Sequence, residues 1–234
     1  MNTPPLTIVF ALFDGMTPLD FTGPHAFLSR APGATTVLAS RDGGVVKAEG
    51  LEFGGTARLE DVSACDLLCV PGGPDATKLA LDRDFVAEIR RLGLGARYVT
   101  SVCTGSLILG AAGLLTGKRA ACHWAWRDLL PVFGAIPMAD RVARNGRVIT
   151  AGGVTAGMDF ALVVLAEIYG ADVAEALQLG LEYDPKPPFD SGSPQSVRPE
   201  ILARVQATFG PRMDKRRAEA EEAARRLYAN AEGP

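Results

Sequence analysis

One cysteine, set among small residues, carries the strongest chemical signal in the sequence. The apolar run 98–102 ends at Cys103, and residues 106–114 then have helical spacing. Ser101 and Gly105, two residues before and after the cysteine, are small, as the cramped backbone of a nucleophile elbow requires. The N–H groups and dipole at a helix start can lower a thiol pKa. We therefore expect a Cys103 thiolate if the site is open to solvent or substrate; a small buried cysteine at a strand end is the alternative.

A cysteine nucleophile needs a nearby group that accepts or donates a proton, and the chain offers two histidines and several acids. Asp20 follows the first apolar run through a turn, so it is either an acid/base group or a carboxylate at a helix start. His123 begins a later helical segment and is either catalytic or structural. His25 lies inside the first helical segment and is expected to be structural.

Two glycine pairs follow apolar runs and could bring backbone close to a ligand. Gly72 and Gly73 come directly after the run 66–70, and Gly152 and Gly153 form a second such corner. Glycine side chains do not obstruct a ligand that approaches backbone N–H groups. Such donors can hold developing charge. Gly72 and Gly73 are therefore candidate substrate-binding residues, with an ordinary strand-ending turn as the alternative.

Short apolar runs alternate with segments of helical spacing along most of the chain. This order predicts an α/β fold with a mostly parallel sheet covered by helices on both faces. Ligands on such a sheet bind beyond the carboxyl ends of the strands, so we expect Asp20, the two glycine corners and Cys103 at one edge. The predicted strands are 7–13, 35–39, 66–70, 97–102 and 147–150, and the predicted helices are 20–30, 83–94, 106–114, 124–133 and 155–169.

Three segments depart from the alternation. Glycine-rich residues 42–61 predict a small hairpin or an irregular excursion. Residues 184–196, at the end of the main domain 1–196, predict a proline-rich linker or ordered arm, because prolines exclude helix and central strand. Residues 197–234 predict an amphipathic helical tail, broken near Gly210 and Pro211, that packs on the domain or on a second subunit.

Composition excludes several classes of partner. A net charge of −3 and a pI near 5.5 argue against nucleic-acid binding, which needs clustered cations. The apolar stretch 6–13 is too short to span a membrane and has no basic lead-in, so we expect a cytoplasmic protein. The four cysteines are expected to be reduced, and Cys65 with Cys69 lacks the partners of a zinc site.

Together these segments resemble the ThiJ/PfpI family of the class I glutamine amidotransferase-like superfamily, and most closely its isocyanide hydratases. The resemblance runs from residue 6 to about 183 and implies a homodimer of flavodoxin-like subunits, with Cys103 as nucleophile and Asp20 as acid/base group. The matching residues are Phe13-Asp14-Gly15 with Leu19-Asp20, Val70-Pro71-Gly72-Gly73, Ser101-Val102-Cys103-Thr104-Gly105, His123-Trp124, the stretch 149–157 and Glu182-Tyr183-Asp184-Pro185.

The implied reaction is that of a hydro-lyase, the hydration of a small-molecule isocyanide to an N-substituted formamide. Cys103 would form a covalent thioimidate, Asp20 would relay protons, and Thr104 would help to fix the substrate through its N–H or hydroxyl. The scheme requires no metal and no organic cofactor. A carboxylate beside a thiolate titrates as a coupled pair.

Two other functions remain open at this point. Glyoxalase- and deglycase-like relatives resemble the chain at the cysteine but carry Glu where Asp20 stands, and peptidase-like relatives carry His where Thr104 stands. The ligand domain of AraC-type regulators is also similar, which leaves a non-enzymatic ligand sensor as an alternative, although the tail is too short for a full DNA-binding domain. The sequence does not fix the role of His123, of Cys103 oxidation or of the arm, for which a dimer contact is expected.

Overall fold

The computed structural model describes residues 5–231, so the first four residues of the expected domain and the last three of the expected tail lie outside it. Within this described range, ten strands form two sheets. The strands are β1 (Leu6–Ala11), β2 (Ala34–Ser40), β3 (Gly44–Ala48), β4 (Leu51–Arg58), β5 (Leu67–Val70), β6 (Tyr98–Ser101), β7 (Arg119–Ala121), β8 (Ile136–Met138), β9 (Val142–Asn145) and β10 (Val148–Ala151).

The main sheet has eight strands in the order β3-β4-β2-β1-β5-β6-β10-β9. Its six inner strands, from β4 to β10 in that order, run parallel, and each edge strand is antiparallel to its neighbour. Strands β5 and β10 are buried along their whole length, as their unbroken apolar sequences predict for a sheet covered on both faces. The five predicted strands are confirmed as β1, β2, β5, β6 and β10. Strands β7 and β8 pair separately as a two-stranded sheet.

Helices cover both faces of the main sheet, as the alternation predicts. On one face α1 packs against α5 and α5 against α6; on the other, α4 contacts α2, α3 and α7. The helices are α1 (Pro18–Leu28), α2 (Ala76–Leu79), α3 (Arg83–Gly95), α4 (Gly105–Ala111), α5 (Ala156–Tyr169), α6 (Ala171–Gly180) and α7 (Pro199–Ala231), with 3₁₀ segments at Leu59–Asp61 and Arg127–Phe133.

Two helix predictions were wrong in detail. The α-helix expected over 124–133 is a 3₁₀ segment over Arg127–Phe133; Pro131 leaves one backbone hydrogen bond unmade inside it, and Gly134, in the left-handed conformation at φ 70°, ends it. The tail helix α7 is not broken near Gly210 and Pro211. The proline costs a backbone hydrogen bond, but α7 packs on the domain on both sides of it, through Phe209 and through the buried Ala220.

The segment 42–61 forms the antiparallel hairpin β3–β4, as expected. The hairpin is tied to the loop after β1, where the Lys47 N–H donates to Asp14 Oδ1 over 2.8 Å and the Gly15 N–H donates to the Lys47 carbonyl over 2.8 Å. The arm contains neither helix nor strand. None of the helices between residues 5 and 231 is long and apolar enough to cross a membrane.

Candidate active site

Four loops meet at the carboxyl edge of the sheet, after β1, β5, β6 and β10. The Thr17 N–H donates to the Gly72 carbonyl over 2.8 Å, and the Cys103 N–H donates to the carbonyl of Gly152 over 2.8 Å. The Gly72 N–H donates to Asp20 Oδ2 over 2.9 Å. The parallel sheet therefore brings together the cysteine, the acid and both glycine corners that the sequence singled out.

The backbone turns sharply at Cys103, between β6 and α4. Cys103 has φ 59°, a left-handed conformation that costs a non-glycine residue on the order of 1–3 kcal/mol. Its N–H also lies 3.2 Å from the Ala151 carbonyl, so β10 holds the strained residue in place. A Cβ at Gly105 would lie 2.2 Å from the Val70 carbonyl oxygen. This contact is the steric reason for a glycine two residues after the cysteine.

The Cys103 thiol is buried, with 5% of the residue exposed. Burial raises its pKa well above the ordinary value, and the neighbouring Asp20 and Cys122 raise it further. The N–H groups of Thr104 and Val154 donate toward the sulfur and oppose the rise in pKa without cancelling it. A Cys103 thiolate was expected only if the site is open to solvent or substrate. The sulfur is buried in the single chain, so the resting group is a neutral thiol.

Asp20 lies on the first turn of α1 and is completely buried. Its pKa is raised from 3.8 to about 7, mainly by burial. The hydrogen bonds from the Gly72 N–H and the Cys103 thiol lower the pKa, and the charge of Glu49 on the β3–β4 turn adds a smaller increase. Its Oδ1 accepts no hydrogen bond of normal geometry from residues 5–231. The carboxyl is therefore poised to change protonation near neutral pH, beside the thiol.

Thr104, Gly72 and Gly73 use their hydrogen-bond donors within the site, so these donors are not free to bind a substrate. The Thr104 hydroxyl donates to the Gly73 carbonyl and accepts from the Gly73 N–H, each over 2.8 Å. A Cβ at Gly72 would lie 2.4 Å from the Thr104 nitrogen and 2.9 Å from Asp20 Oδ2. Both glycine N–H groups are thus already taken by side chains. Substrate binding by Gly72 and Gly73 stays a prediction.

The two histidines have different surroundings. His25 packs against the rings of Phe10 and Phe21, as expected of a structural residue. His123 lies against Trp126, with 4.8 Å between ring centroids, and against Phe209, with 6.0 Å. Phe209 belongs to α7 and was not a candidate, because its only sequence signal is an apolar position on the tail helix.

A cavity of about 330 Å³ lies beside the second glycine corner. Cys103 is not among its lining residues, but Val154 is, and the Val154 N–H donates toward the cysteine sulfur. The arm supplies one wall, which gives this segment a place in the site region. The lining residues are Cys122, His123, Trp124, Arg127, 139–141, 152–156 and 192–195.

Comparison with known proteins agrees with this geometry. The DJ-1/PfpI family pattern matches residues 6–167, which include all four loops. The chain is 46% identical over 223 residues to an isonitrile hydratase of Pseudomonas putida, across 95% of this chain and 98% of that protein. A crystal structure of a ThiJ/PfpI family protein from Pseudomonas syringae superposes with a TM-score of 0.89 at 36% identity, over 95% of this chain and 91% of that one.

A third relative is a regulator. The HTH-type transcriptional regulator CdhR of Pseudomonas aeruginosa is 30% identical over 142 residues, which is 59% of this chain but 41% of the regulator. The similarity to the hydratase covers nearly the whole of both chains, whereas the similarity to the regulator covers part of each. With the family pattern spanning every loop of the site, this chain belongs to the DJ-1/PfpI family.

Proposed function

We propose that this protein is an isocyanide hydratase, a hydro-lyase that converts isocyanides to N-substituted formamides through a covalent intermediate on Cys103. The observation that carries the proposal is the buried pair of Cys103 and Asp20, in which each group has a raised pKa. The 46% identity to the Pseudomonas putida isonitrile hydratase supports the same activity.

The first half of the reaction adds the thiol across the terminal carbon of the isocyanide. The Asp20 carboxylate accepts the thiol proton, the sulfur forms a bond to that carbon, and Asp20 returns the proton to the same carbon. The product is a thioformimidate, R–N=CH–S–Cys103, which contains every atom of the isocyanide and of the thiol. The thiolate exists only transiently, so the raised pKa of the resting thiol is compatible with this step.

The second half adds water to the thioformimidate carbon. The water oxygen bonds to the carbon while the imine nitrogen gains a proton, and the carbon–sulfur bond then breaks. Asp20 carries the protons, so that the formamide leaves and Cys103 recovers its hydrogen. No net charge is created in the buried site, which suits a location where charge is costly.

Neighbouring N–H groups stabilise the two groups that carry negative charge during the reaction, the transient thiolate of Cys103 and the carboxylate of Asp20. The N–H groups of Thr104 and Val154 donate toward the sulfur and stabilise the thiolate while it forms. The Gly72 N–H holds the carboxylate in position. We assign Thr104 a positioning role through its hydroxyl. That hydroxyl donates to the Gly73 carbonyl and accepts from the Gly73 N–H, so its hydrogen is not free to bind the substrate.

We further propose that the protein acts as a cytoplasmic homodimer without a nucleic-acid partner. Helices α1 and α5 pack side by side and expose Leu19 and Val163, each more than a third exposed, which a second copy could cover. All four cysteines are free, as in a reducing compartment. Sedimentation velocity tests the dimer. A Leu19→Asp and Val163→Asp double variant that sediments like the wild type would contradict the proposed interface.

The decisive experiment is incubation of the purified protein with cyclohexyl isocyanide, with formamide followed by NMR. We expect formamide from the wild type, none from Cys103→Ser or Asp20→Asn, and normal turnover from Cys65→Ser, whose buried cysteine lies before β5 at the far edge of the sheet. Intact-mass spectrometry should show an adduct equal to the mass of the isocyanide. Undiminished turnover by Cys103→Ser would refute the mechanism.

A ligand sensor is the second candidate, favoured by the similarity to CdhR and by the buried sulfur, which does not line the cavity. A sensor would bind the isocyanide, or another small molecule, without forming formamide. Consumption of methylglyoxal in place of isocyanide would instead assign a glyoxalase-like activity.

A further inference from the structure

His123 is held as one tautomer. Its Nδ1 accepts a hydrogen bond from the Ala125 N–H over 3.2 Å. A ring nitrogen that accepts a backbone N–H carries no proton of its own, so in the neutral imidazole the proton is on Nε2. Burial favours the neutral ring, because it lowers the pKa of His123 to about 4. The side chain is therefore a donor through Nε2 and has no acceptor left.

The ring is also fixed in orientation. Trp126 and Phe209 meet it edge-on, with centroids 4.8 and 6.0 Å away, and Trp124 stacks on it at 5.6 Å. Phe209 reaches the ring from α7, so the tail helix completes this aromatic enclosure. An imidazole clamped in this way presents its Nε2–H in one direction.

That direction is set by the second glycine corner. A Cβ at Gly153 would lie 3.1 Å from His123 Cδ2 and 3.7 Å from Nε2, so the ring edge rests on the backbone that leads to Val154. The Val154 N–H donates toward the Cys103 sulfur. His123 and Val154 line the same cavity, and Nε2 has no hydrogen-bond partner within residues 5–231.

We propose that His123 is a neutral hydrogen-bond donor whose Nε2–H binds the oxygen that enters as water and leaves as the formamide oxygen. This inference rests on the proposed hydratase function and adds a catalytic residue to it. His123 forms and breaks no covalent bond and transfers no proton. It stabilises the oxygen while the carbon–sulfur bond breaks. This role differs from that of an acid–base histidine, which would gain and lose a proton during the reaction.

The spectroscopic test needs no turnover. The chain has two histidines, so ¹⁵N-histidine labelling gives two imidazoles, and His25→Gln identifies the His123 signals. We expect a protonated Nε2 and an unprotonated Nδ1 from pH 5 to 8, and a downfield shift of the Nε2 proton when N-cyclohexylformamide is added. An imidazolium, an Nδ1–H tautomer, or a resonance that ignores saturating formamide would overturn the inference.

The kinetic test uses cyclohexyl isocyanide. His123→Phe keeps an aromatic ring but removes the donor, and should lower kcat between about 100-fold and 1,000-fold, the range for one lost donor to a developing oxyanion. His123→Gln can place an amide N–H near Nε2 and should recover most of kcat with an unchanged pH profile. If His123→Phe unfolds, the glutamine variant and the NMR of the wild type still decide. Full kcat in a folded His123→Phe refutes the inference but leaves hydratase activity established, whereas an inactive wild type refutes the proposed function itself.

Discussion

Replacing Asp20 by asparagine should stabilise the protein at alkaline pH while it abolishes turnover. Asparagine has nearly the shape of the carboxyl, and its Oδ1 can accept the Gly72 N–H that Asp20 Oδ2 accepts now. The difference is that asparagine never becomes charged. The wild type must place an anion in a completely buried position whenever Asp20 ionises.

The magnitude follows from the pKa of the carboxyl. Burial holds it at about 7 in the folded chain against 3.8 when it is solvated. The folded state binds the proton more tightly, so the stabilisation from the neutral carboxyl is full below about pH 3.8 and is lost as the pH rises through about 7. At about 1.36 kcal/mol per pKa unit the loss is about 4 kcal/mol in total, of which about 3 kcal/mol falls between pH 5 and 8.

The assay is chemical denaturation of the wild type and of Asp20→Asn at pH 5 and at pH 8. Groups other than Asp20 titrate in both proteins, so the difference between the two unfolding free energies isolates this carboxyl. We expect that difference to shift in favour of the variant by about 3 kcal/mol from pH 5 to pH 8. A difference that is the same at both pH values would show that Asp20 does not titrate in this range, and the reasoning about the buried pair would fail with it.

Three further predictions test the other parts of the site. The kcat/KM for cyclohexyl isocyanide should fall about tenfold per pH unit below about 7, because protonated Asp20 cannot accept the thiol proton; a flat pH–rate profile from pH 5 to 8 would contradict that role. Thr104→Val should cost on the order of 2–4 kcal/mol in denaturant and slow turnover, because both hydrogen bonds to Gly73 are lost, whereas Thr104→Ser should retain both functions. Gly105→Ala should abolish folding or activity, since its Cβ would overlap the backbone, whereas Gly180→Ala, where a Cβ meets nothing within 4 Å, should melt within a few degrees of the wild type.

The sequence predicted the position of the site because that position depends on local patterns and one general rule. Unbroken apolar runs identified the inner strands, and parallel strands present their carboxyl ends at one edge. Asp20, Gly72, Cys103 and Gly152 follow such strands, so their convergence could be foreseen. In the structure, these loops are joined by the hydrogen bonds from the Gly72 N–H to Asp20 and from the Cys103 N–H to the Gly152 carbonyl.

The electrostatics of the site could not be predicted in the same way. The helix start at Cys103 suggested a lowered thiol pKa, but the structure reverses the direction because burial outweighs the donated N–H groups. Burial depends on how distant segments pack, and no local pattern of residues 101–105 encodes it. The contact of Phe209 with His123 is of the same kind, since it joins a tail helix to a loop far away in sequence.

The short elements were missed for another reason. Strands β7 and β8 contain three residues each, too few to show a pattern, and Pro137 lies inside β8. Strand β9 has four residues, but its sequence Val-Ala-Arg-Asn lacks the unbroken apolar run that identified the inner strands. The unbroken α7 shows the converse case, in which tertiary packing overrides the local preference of Gly210 and Pro211 to end a helix.

The raised pKa values of Cys103 and Asp20 fit the proposed reaction, because the reaction starts from a neutral thiol beside a carboxylate and not from a resting thiolate. Addition of a thiol to an isocyanide delivers both the sulfur and its hydrogen to the same carbon, so the enzyme needs the proton kept in the site. A thiol beside a carboxylate holds that proton, whereas a stable thiolate beside a carboxylate would place two negative charges in a buried space. The N–H groups of Thr104 and Val154 then stabilise the sulfur only while it is charged. Deep burial of the pair thus lowers stability above neutral pH and at the same time keeps the proton where the reaction uses it.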